Sequence, residues 1–424
     1  MQLTPGPRGP ALRNRLGAAA CLLFAAGAGV SPARAENPPR WQFDASGLIY
    51  GESQRASVVE PTAKITRLFP DGQRLSAALG IDVITGASPT GALPSGDVQT
   101  VTTPSGNVTT HAAGEIPTKK FKDTRGVLDL GYEKPFAGWL TATAGGHFSR
   151  EKDYQSLGLN GTVAISFLRR LSTLTLGAGM NDDDVFPVGG TRAPLTDGSV
   201  VIGTGWNPKR VRSGMVGLSR ILTRRWMIGA NVTRTLERGD LTDPYKVLSV
   251  VDASTGMPVG QLTESRPGTR DRRDVYFTSV YHLERDVTYA SYRRYWDDWG
   301  VHSNTIDLKY RRELENHAFL QPHVRYYFQT RATFFREGLV QGEAVPRYAT
   351  SDVRLGDLRT LTLGGTYGFQ PPGSPGEFTI RGEYMRQWGR GAEEGEGDIG
   401  EERQFDLSPP VDIGSLVLTY SVAF

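Results

Sequence analysis

The stretch with the densest charge is rich in arginine. Arg266, Arg270, Arg272 and Arg273 lead from a loop into a run of alternating residues, and Arg293 and Arg294 precede Trp296-Asp297-Asp298-Trp299 at the next tip. A guanidinium donates two parallel hydrogen bonds, which suits phosphate and carboxylate alike. Two uses follow. Arg266, Arg270, Arg293, Arg294, Asp297 and Asp298 could ring an external mouth as fixed charge, selecting solutes or gripping the phosphates of lipopolysaccharide. Alternatively, these arginines pair with Asp271, Asp274, Asp297 and Asp298 and hold loops against a wall. Pairing is the expectation, because external loops need it to stay folded.

A second set is spaced by two. Asp307, Lys309 and Arg311 share one strand face, His323, Arg325, Tyr327, Gln329 and Arg331 the next, and Arg381 and Glu383 another. Facing a common lumen, they form a mixed ladder of the kind that sets a transverse field at a pore constriction. In a closed lumen the same residues are cross-braces. The acidic runs Asp182-Asp183-Asp184 and Glu393 to Asp398 could hold Ca²⁺, but neither has the ligand spacing of a loop motif, so solvated external loops are expected. His147-Phe148-Ser149 has hydrolase residue types without a surrounding motif. No P-loop, dinucleotide fingerprint or CxxC is present, so no cofactor or metal is expected.

What must position these groups is a strand pattern. Leu416, Leu418, Tyr420, Val422 and Phe424 alternate with Thr419, Ser421 and Ala423; Leu361, Leu363, Tyr367 and Phe369 alternate with Thr360, Thr362 and Thr366. Side chains on a strand point to opposite faces in turn, so each segment has one apolar and one polar side. Sixteen such segments are predicted near 41–53, 60–69, 72–85, 123–133, 138–150, 154–168, 170–181, 209–222, 225–237, 270–284, 286–298, 301–315, 318–335, 355–370, 375–388 and 412–424. Connections labelled alternately sort by length. One class is always short, and the other contains all the long ones: 86–122, 182–208, 238–269, 336–354 and 389–411. A soluble sandwich has no reason for such parity; a single-chain transmembrane barrel does. The fold class is therefore all-β, a single antiparallel transmembrane β-barrel of about sixteen strands.

Bulk properties fit. Only 38% of residues are hydrophobic and the mean hydropathy is −0.35, as expected when every second side chain is polar. Arg8, Arg13 and Arg15 precede the apolar run Leu16 to Val30, and Ala33-Arg34-Ala35 fits a cleavage site. Residues 1–35 read as a signal peptide and 36–424 as the barrel. The leader holds the single cysteine, Cys21, with four arginines and no acid, so cleavage takes the formal charge from +3 to −1. The basic balance belongs to the leader and implies no nucleic acid. Aromatic residues Tyr292, Tyr295, Trp296, Trp299, Tyr326, Tyr327, Phe334, Phe335, Tyr384 and Trp388 lie toward predicted strand ends, where interfacial girdles sit. The last strand, with Tyr420, Val422 and Phe424, has the form that barrel-assembly machinery reads.

Three stretches carry a resemblance: Leu79 to Pro89 (LGIDVITGASP); Glu264-Ser265-Arg266-Pro267 through Ser291 to Gly300 (SYRRYWDDWG); and His323 to Gln329 (HVRYYFQ), continuing to Ser351-Asp352-Val353-Arg354-Leu355. Together they resemble a family of exported proteobacterial proteins known as domain of unknown function 3570. The resemblance implies an outer-membrane barrel without an assigned activity, and hints at periplasmic redox proteins as partners. It supplies no catalytic motif. The sequence-level expectation is an exported outer-membrane pore or transport component for small polar solutes, not an enzyme, surrounded by outer-membrane lipids and lipopolysaccharide. The alternatives are a closed-lumen scaffold for an envelope redox complex and a barrel hydrolase.

Overall fold

The computed structural model describes residues 41–424 apart from 54, 97, 103–107, 316, 390–399 and 401–408. The expected leader with Cys21 and the acidic run 393–398 lie outside the described residues.

The period-two pattern is realised as sixteen strands in one closed antiparallel barrel. They are β1 (Trp41–Glu52), β2 (Ala56–Leu68), β3 (Arg74–Pro89), β4 (Thr118–Ala137), β5 (Leu140–Arg150), β6 (Tyr154–Phe167), β7 (Ser172–Val185) and β8 (Asn207–Thr223). The second half comprises β9 (Trp226–Gly239), β10 (Thr269–His282), β11 (Asp286–Asp297), β12 (His302–Glu313), β13 (Ala318–Gln329), β14 (Leu358–Phe369), β15 (Gly376–Trp388) and β16 (Val411–Ala423). Each segment anticipated from alternation overlaps one of them. Strands β1 and β16 pair from Gln42–Ala423 to Glu52–Ile413. Trp41 and Phe424 add a last rung, each N–H donating to the other's carbonyl at 2.8 and 2.9 Å. Tyr420 and Val422 of this closing strand pair with Ala45 and Phe43 on one side and with Phe378 and Gly376 on the other.

Alternation sorts side chains by face. Leu79, Ile81, Leu157, Leu159, Val216 and Val232 point outward, each more than half exposed. Asp82, His147, Ser156, Asp183 and Thr235 point inward and are buried. Exposed rings of Phe136, Trp139, Phe167, Trp226, Tyr281 and Phe424 collect at the end of the barrel bearing the short turns. Connections 90–117, 186–206, 240–268, 330–357 and 389–410 all leave the opposite end, as the parity of lengths predicted.

Four of the long connections, 90–117, 186–206, 240–268 and 330–357, pack on one another. Segments Pro258–Thr263, Val247–Val251 and Gly338–Val340 form a three-stranded sheet with Val247–Val251 in the middle. Val247 donates its N–H to the Thr90 carbonyl (2.9 Å), Leu93 donates to Ser249 Oγ (2.9 Å), and Leu195 donates to the Thr263 carbonyl (3.1 Å). Connections 90–117 and 240–268 are rooted six strands apart around the ring, so they meet only by crossing the opening. The mouth carries a cap.

Near the capped end the structure departs from expectation in four places. The strand predicted over 318–335 stops at Gln329, because Ala332, Phe334 and Phe335 turn away to join Leu241, Trp299, Val301 and Leu355 in a buried cluster. Trp299, Phe334 and Phe335 are therefore core residues of the cap rather than girdle rings. Tyr295 also leaves the girdle: its hydroxyl points inward and donates to Asp297 at 2.6 Å. The run Asp182-Asp183-Asp184, expected in a loop, instead belongs to β7.

Inside the wall near the short-turn end, the Phe319 ring lies on Gly368 of the neighbouring strand, with the Arg311 guanidinium 3.5 Å from the ring centroid. A Cβ on Gly368 would sit 2.0 Å from that ring. Replacement Gly368→Val should overpack the site and cost about 1–3 kcal/mol, read as a lower urea midpoint of the refolded barrel. An unchanged midpoint would show that the ring does not seat there.

Candidate functional site

The inward face carries charge on nearly every strand, and the closed register decides which charges meet. On β12 and β13, Asp307 stands directly opposite Arg325, and Lys309 opposite His323. Arg325 Nε donates to Asp307 Oδ2 at 2.7 Å. His323 is held at both ring nitrogens, Nε2 lying 2.9 Å from Asp307 Oδ2 and Nδ1 2.8 Å from Glu383 Oε1. Such a ring is fully satisfied when both nitrogens carry protons. Lys309 Nζ is 3.9 Å from Asp307 Oδ1. The ladder thus spans four strands, although β14 separates His323 from Glu383.

Gly364 makes that reach possible. It is the β14 residue between His323 and Glu383, and a Cβ there would come within 2.6 Å of Glu383 Cγ. With no side chain in the way, Glu383 crosses over β14. Arg381 shares the inward face two residues before Glu383, and Arg311 pairs with Glu313. Arg331 differs from expectation. It follows the end of β13, where its N–H donates to Asp357 Oδ1 at 3.0 Å and its side chain lies beside the same carboxylate. It belongs to the cap, not to the ladder.

A second bank of pairs lines the other strands. Arg125 Nε donates to Asp82 at 2.9 Å, His147 Nδ1 lies 2.6 Å from Asp129, and Ser156 donates to Asp183 at 2.7 Å, with Lys209 Nζ 3.7 Å from that carboxylate. Arg272 pairs with Glu237, and Arg293 with Asp274. Arg270 donates to Asp297 at 2.8 Å and lies over the Trp299 ring. Asp297 also accepts the N–H groups of Trp299 and Val301. These partners come from separate strands, so no local motif announces them. His147 and Ser149 do share the inward face, but Ser149 has no exposed surface to offer a substrate.

The predicted mouth residues therefore divide. Arg270, Arg293 and Asp297 face inward and are paired. Arg266 is buried in the cap, bridging Glu264 at 2.6 Å and Asp352 at 2.8 Å. Asp298 lies in the exposed turn and accepts the Asp271 N–H at 2.9 Å. Arg294 points outward.

Around Arg266 the cap holds a buried ionic knot. Arg354 donates to Asp352 at 2.8 Å and reaches Asp243 at 2.7 Å, while Lys246 Nζ donates to the Pro89 carbonyl. Burial alone would raise the Asp352 carboxyl, but Arg354, Lys246 and Arg266 hold it far below its ordinary range. Burial dominates for Lys246, whose ammonium is pushed down, and for Glu264, whose carboxyl is pushed up.

One further cluster sits at the rim. Carboxylate oxygens of Asp123, Glu151 and Asp153 lie within 4.8 Å of one another, and the Tyr245 hydroxyl donates to Asp153. Burial, followed by the Asp123 charge, pushes Glu151 up to about 8 from its ordinary 4.5. Keeping that proton favours the folded state below about 4.5, and the benefit is lost as pH rises toward 8. Glu151→Gln should therefore be more stable than the parent at pH 9 but not at pH 4, in urea midpoints or loop proteolysis. Equal pH dependence would show that Glu151 does not carry the proton. At the ladder, Gly364→Val should part Glu383 from His323, read as a changed histidine ring signal in NMR; an identical signal would remove Gly364 from its assigned role.

Several solved barrels are similar in outline. The toluene transporter TodX of Pseudomonas putida shares 12% identity with a TM-score of 0.38, over 92% of this chain and 90% of its own. The outer-membrane protein OpdK of Pseudomonas aeruginosa shares 9% with a TM-score of 0.41, over 92% of this chain and 100% of its own. OccK5 (OpdH) of Pseudomonas aeruginosa shares 10% with a TM-score of 0.41, over 91% and 98%. These likenesses are loose, and the barrel stands on its own hydrogen-bond ladder. No curated protein matches the chain. Residues 13–422 match the family described as "Protein of unknown function (DUF3570)", and the chain belongs to that family.

Proposed function

We propose that this chain is an exported barrel of the bacterial outer membrane that conducts small polar solutes through a charged lumen, under a cap that controls entry. The apolar outer wall and the aromatic rings near its ends support the membrane setting. The observation that carries the conducting role is the exposure kept by inward charges. Arg325, Lys309 and Arg311 leave 38%, 34% and 30% of their side-chain surface exposed although they lie inside a closed wall. Charged groups that water still reaches, arranged as acid beside base, create a field across the path of a solute.

Conductance of the refolded protein in a planar bilayer tests the reading. Stable unitary steps are expected, and Arg325→Glu should shift the reversal potential in a salt gradient toward cation preference. Steps with unaltered selectivity would remove Arg325 from the path. Asp352→Asn takes one partner from the buried knot, a change that costs about 3–5 kcal/mol in comparable networks. Longer or larger openings are expected from the loosened cap; unchanged openings would mean that the cap does not gate.

The density of bracing favours one second reading, a closed scaffold for envelope proteins, among them the redox partners hinted at by the family resemblance. Complete absence of conductance, in the parent and in Asp352→Asn alike, together with a stable native-membrane complex, would replace the first reading with this one.

A further inference from the structure

On the outer surface of β8 to β11, directly above the apolar wall, six arginines gather near the capped end. Arg210 and Arg212 on β8, Arg234 and Arg238 on β9, Arg273 on β10 and Arg294 on β11 each lie within five residues of the long-loop end of their strand. All six share the outward face with exposed apolar residues. Arg210 and Arg212 precede Val216 and Leu218, Arg234 and Arg238 follow Ile228 and Val232, Arg273 precedes Phe277, and Arg294 follows Tyr292. The register sets them side by side: Arg210 opposite Arg238, and Arg234 opposite Arg273, which is itself opposite Trp296. Two steps further from the rim, Leu218, Ala230, Phe277, Tyr292 and Ile306 form an uncharged row across five strands.

Like-charged neighbours on a sheet repel unless something lies between them. Asp271 takes Arg234 and Arg273, both at distances near 2.8–2.9 Å, and Asp182 lies 3.6 Å from Arg210. Asp184 and Asp298 are the other carboxylates on this side, and Asp298 is engaged by the Asp271 N–H. Arg212, Arg238 and Arg294 have no carboxylate partner among the described residues. A soluble surface would leave such groups to water, yet these stand at the upper border of a wall that faces hydrocarbon. That border is where lipid headgroups lie.

We infer that this face is a docking surface for a phosphate-bearing glycolipid of the outer leaflet, its acyl chains on the Val216, Val232 and Phe277 surface and its phosphates between the arginines. The inference rests on the membrane reading above. Arginine suits it because its fork matches phosphate oxygens in pairs, and Trp296 beside Arg273 is a residue type common at that depth.

The test uses the full-length barrel refolded in phosphatidylcholine vesicles, with purified lipopolysaccharide and its dephosphorylated form as probes. Each basic residue near an anionic surface contributes about fivefold, so three unpaired arginines give on the order of a hundredfold. The parent should bind the phosphorylated lipid about a hundredfold more tightly than the dephosphorylated one. The combined variant Arg212→Gln, Arg238→Gln and Arg294→Gln should lose that preference, while Arg220→Gln and Arg312→Gln, outward at the opposite end, should keep it. Equal binding of the two lipids by the parent, or a preference that survives the triple change, overturns the proposal. If the triple variant does not refold, the parent's comparison of the two lipids decides alone. A parent that never enters plain phosphatidylcholine vesicles overturns the membrane reading itself, which separates the two failures.

Discussion

Everything in this molecule depends on the closure of one hydrogen-bonded sheet. A strand edge carries unpaired N–H and C=O groups, and a group of this kind left without a partner away from water costs about as much as a lost hydrogen bond. The pairing of β1 with β16, finished by Trp41 and Phe424, joins the two edges that the open sheet would have. Once the ring is closed, alternation has no freedom left. Each residue faces either outward or into the lumen, and a slip of one residue would exchange the faces of an entire strand. The apolar wall is therefore what fixes the register of the charges inside it.

Those interior charges follow a consistent rule. A carboxylate on one strand meets a base on the next, as in Asp82–Arg125, Asp129–His147 and Asp307–Arg325. Leaving any one of them unpaired in a restricted interior would be costly, since removing a partner strands the other charge. Where a second partner stands one strand further on, as Glu383 does from His323, a glycine clears the path across the intervening strand. The cap uses similar chemistry more deeply buried, with Arg266 and Arg354 bridging Glu264, Asp352 and Asp243.

How much of this could be read from the residues alone follows from the range of each signal. Alternation is local, so Leu361 to Phe369 declares its strand without help, and all sixteen segments were legible together with the parity of their connections. The facing of Asp307, Lys309 and Arg325 was legible for the same reason. What was not legible depends on which strands become neighbours. Asp82 and Arg125 are 43 residues apart, and nothing near either names the other. The end of β13 was overrun because Phe334 and Phe335 continue an apolar pattern while the chain itself turns into the cap. Arg293 and Arg294 were grouped as one mouth feature, yet adjacent residues on a strand face opposite ways, and one lies in the lumen while the other meets the outside.

The links between distant loops bear on how the molecule is made. Leu93 and Ser249 are 156 residues apart in sequence, and Val247 and Ser351 are 104 apart. Contacts of such separation cost much chain entropy when the rest of the chain is unordered, and they form late unless something has already brought their ends together. Here the wall does that: strands β3, β9 and β13 must be in place before their loops can meet over the opening. The cap is thus a consequence of completed assembly, and a barrel whose ring has not closed would show its loop chain to any protease in the surrounding fluid.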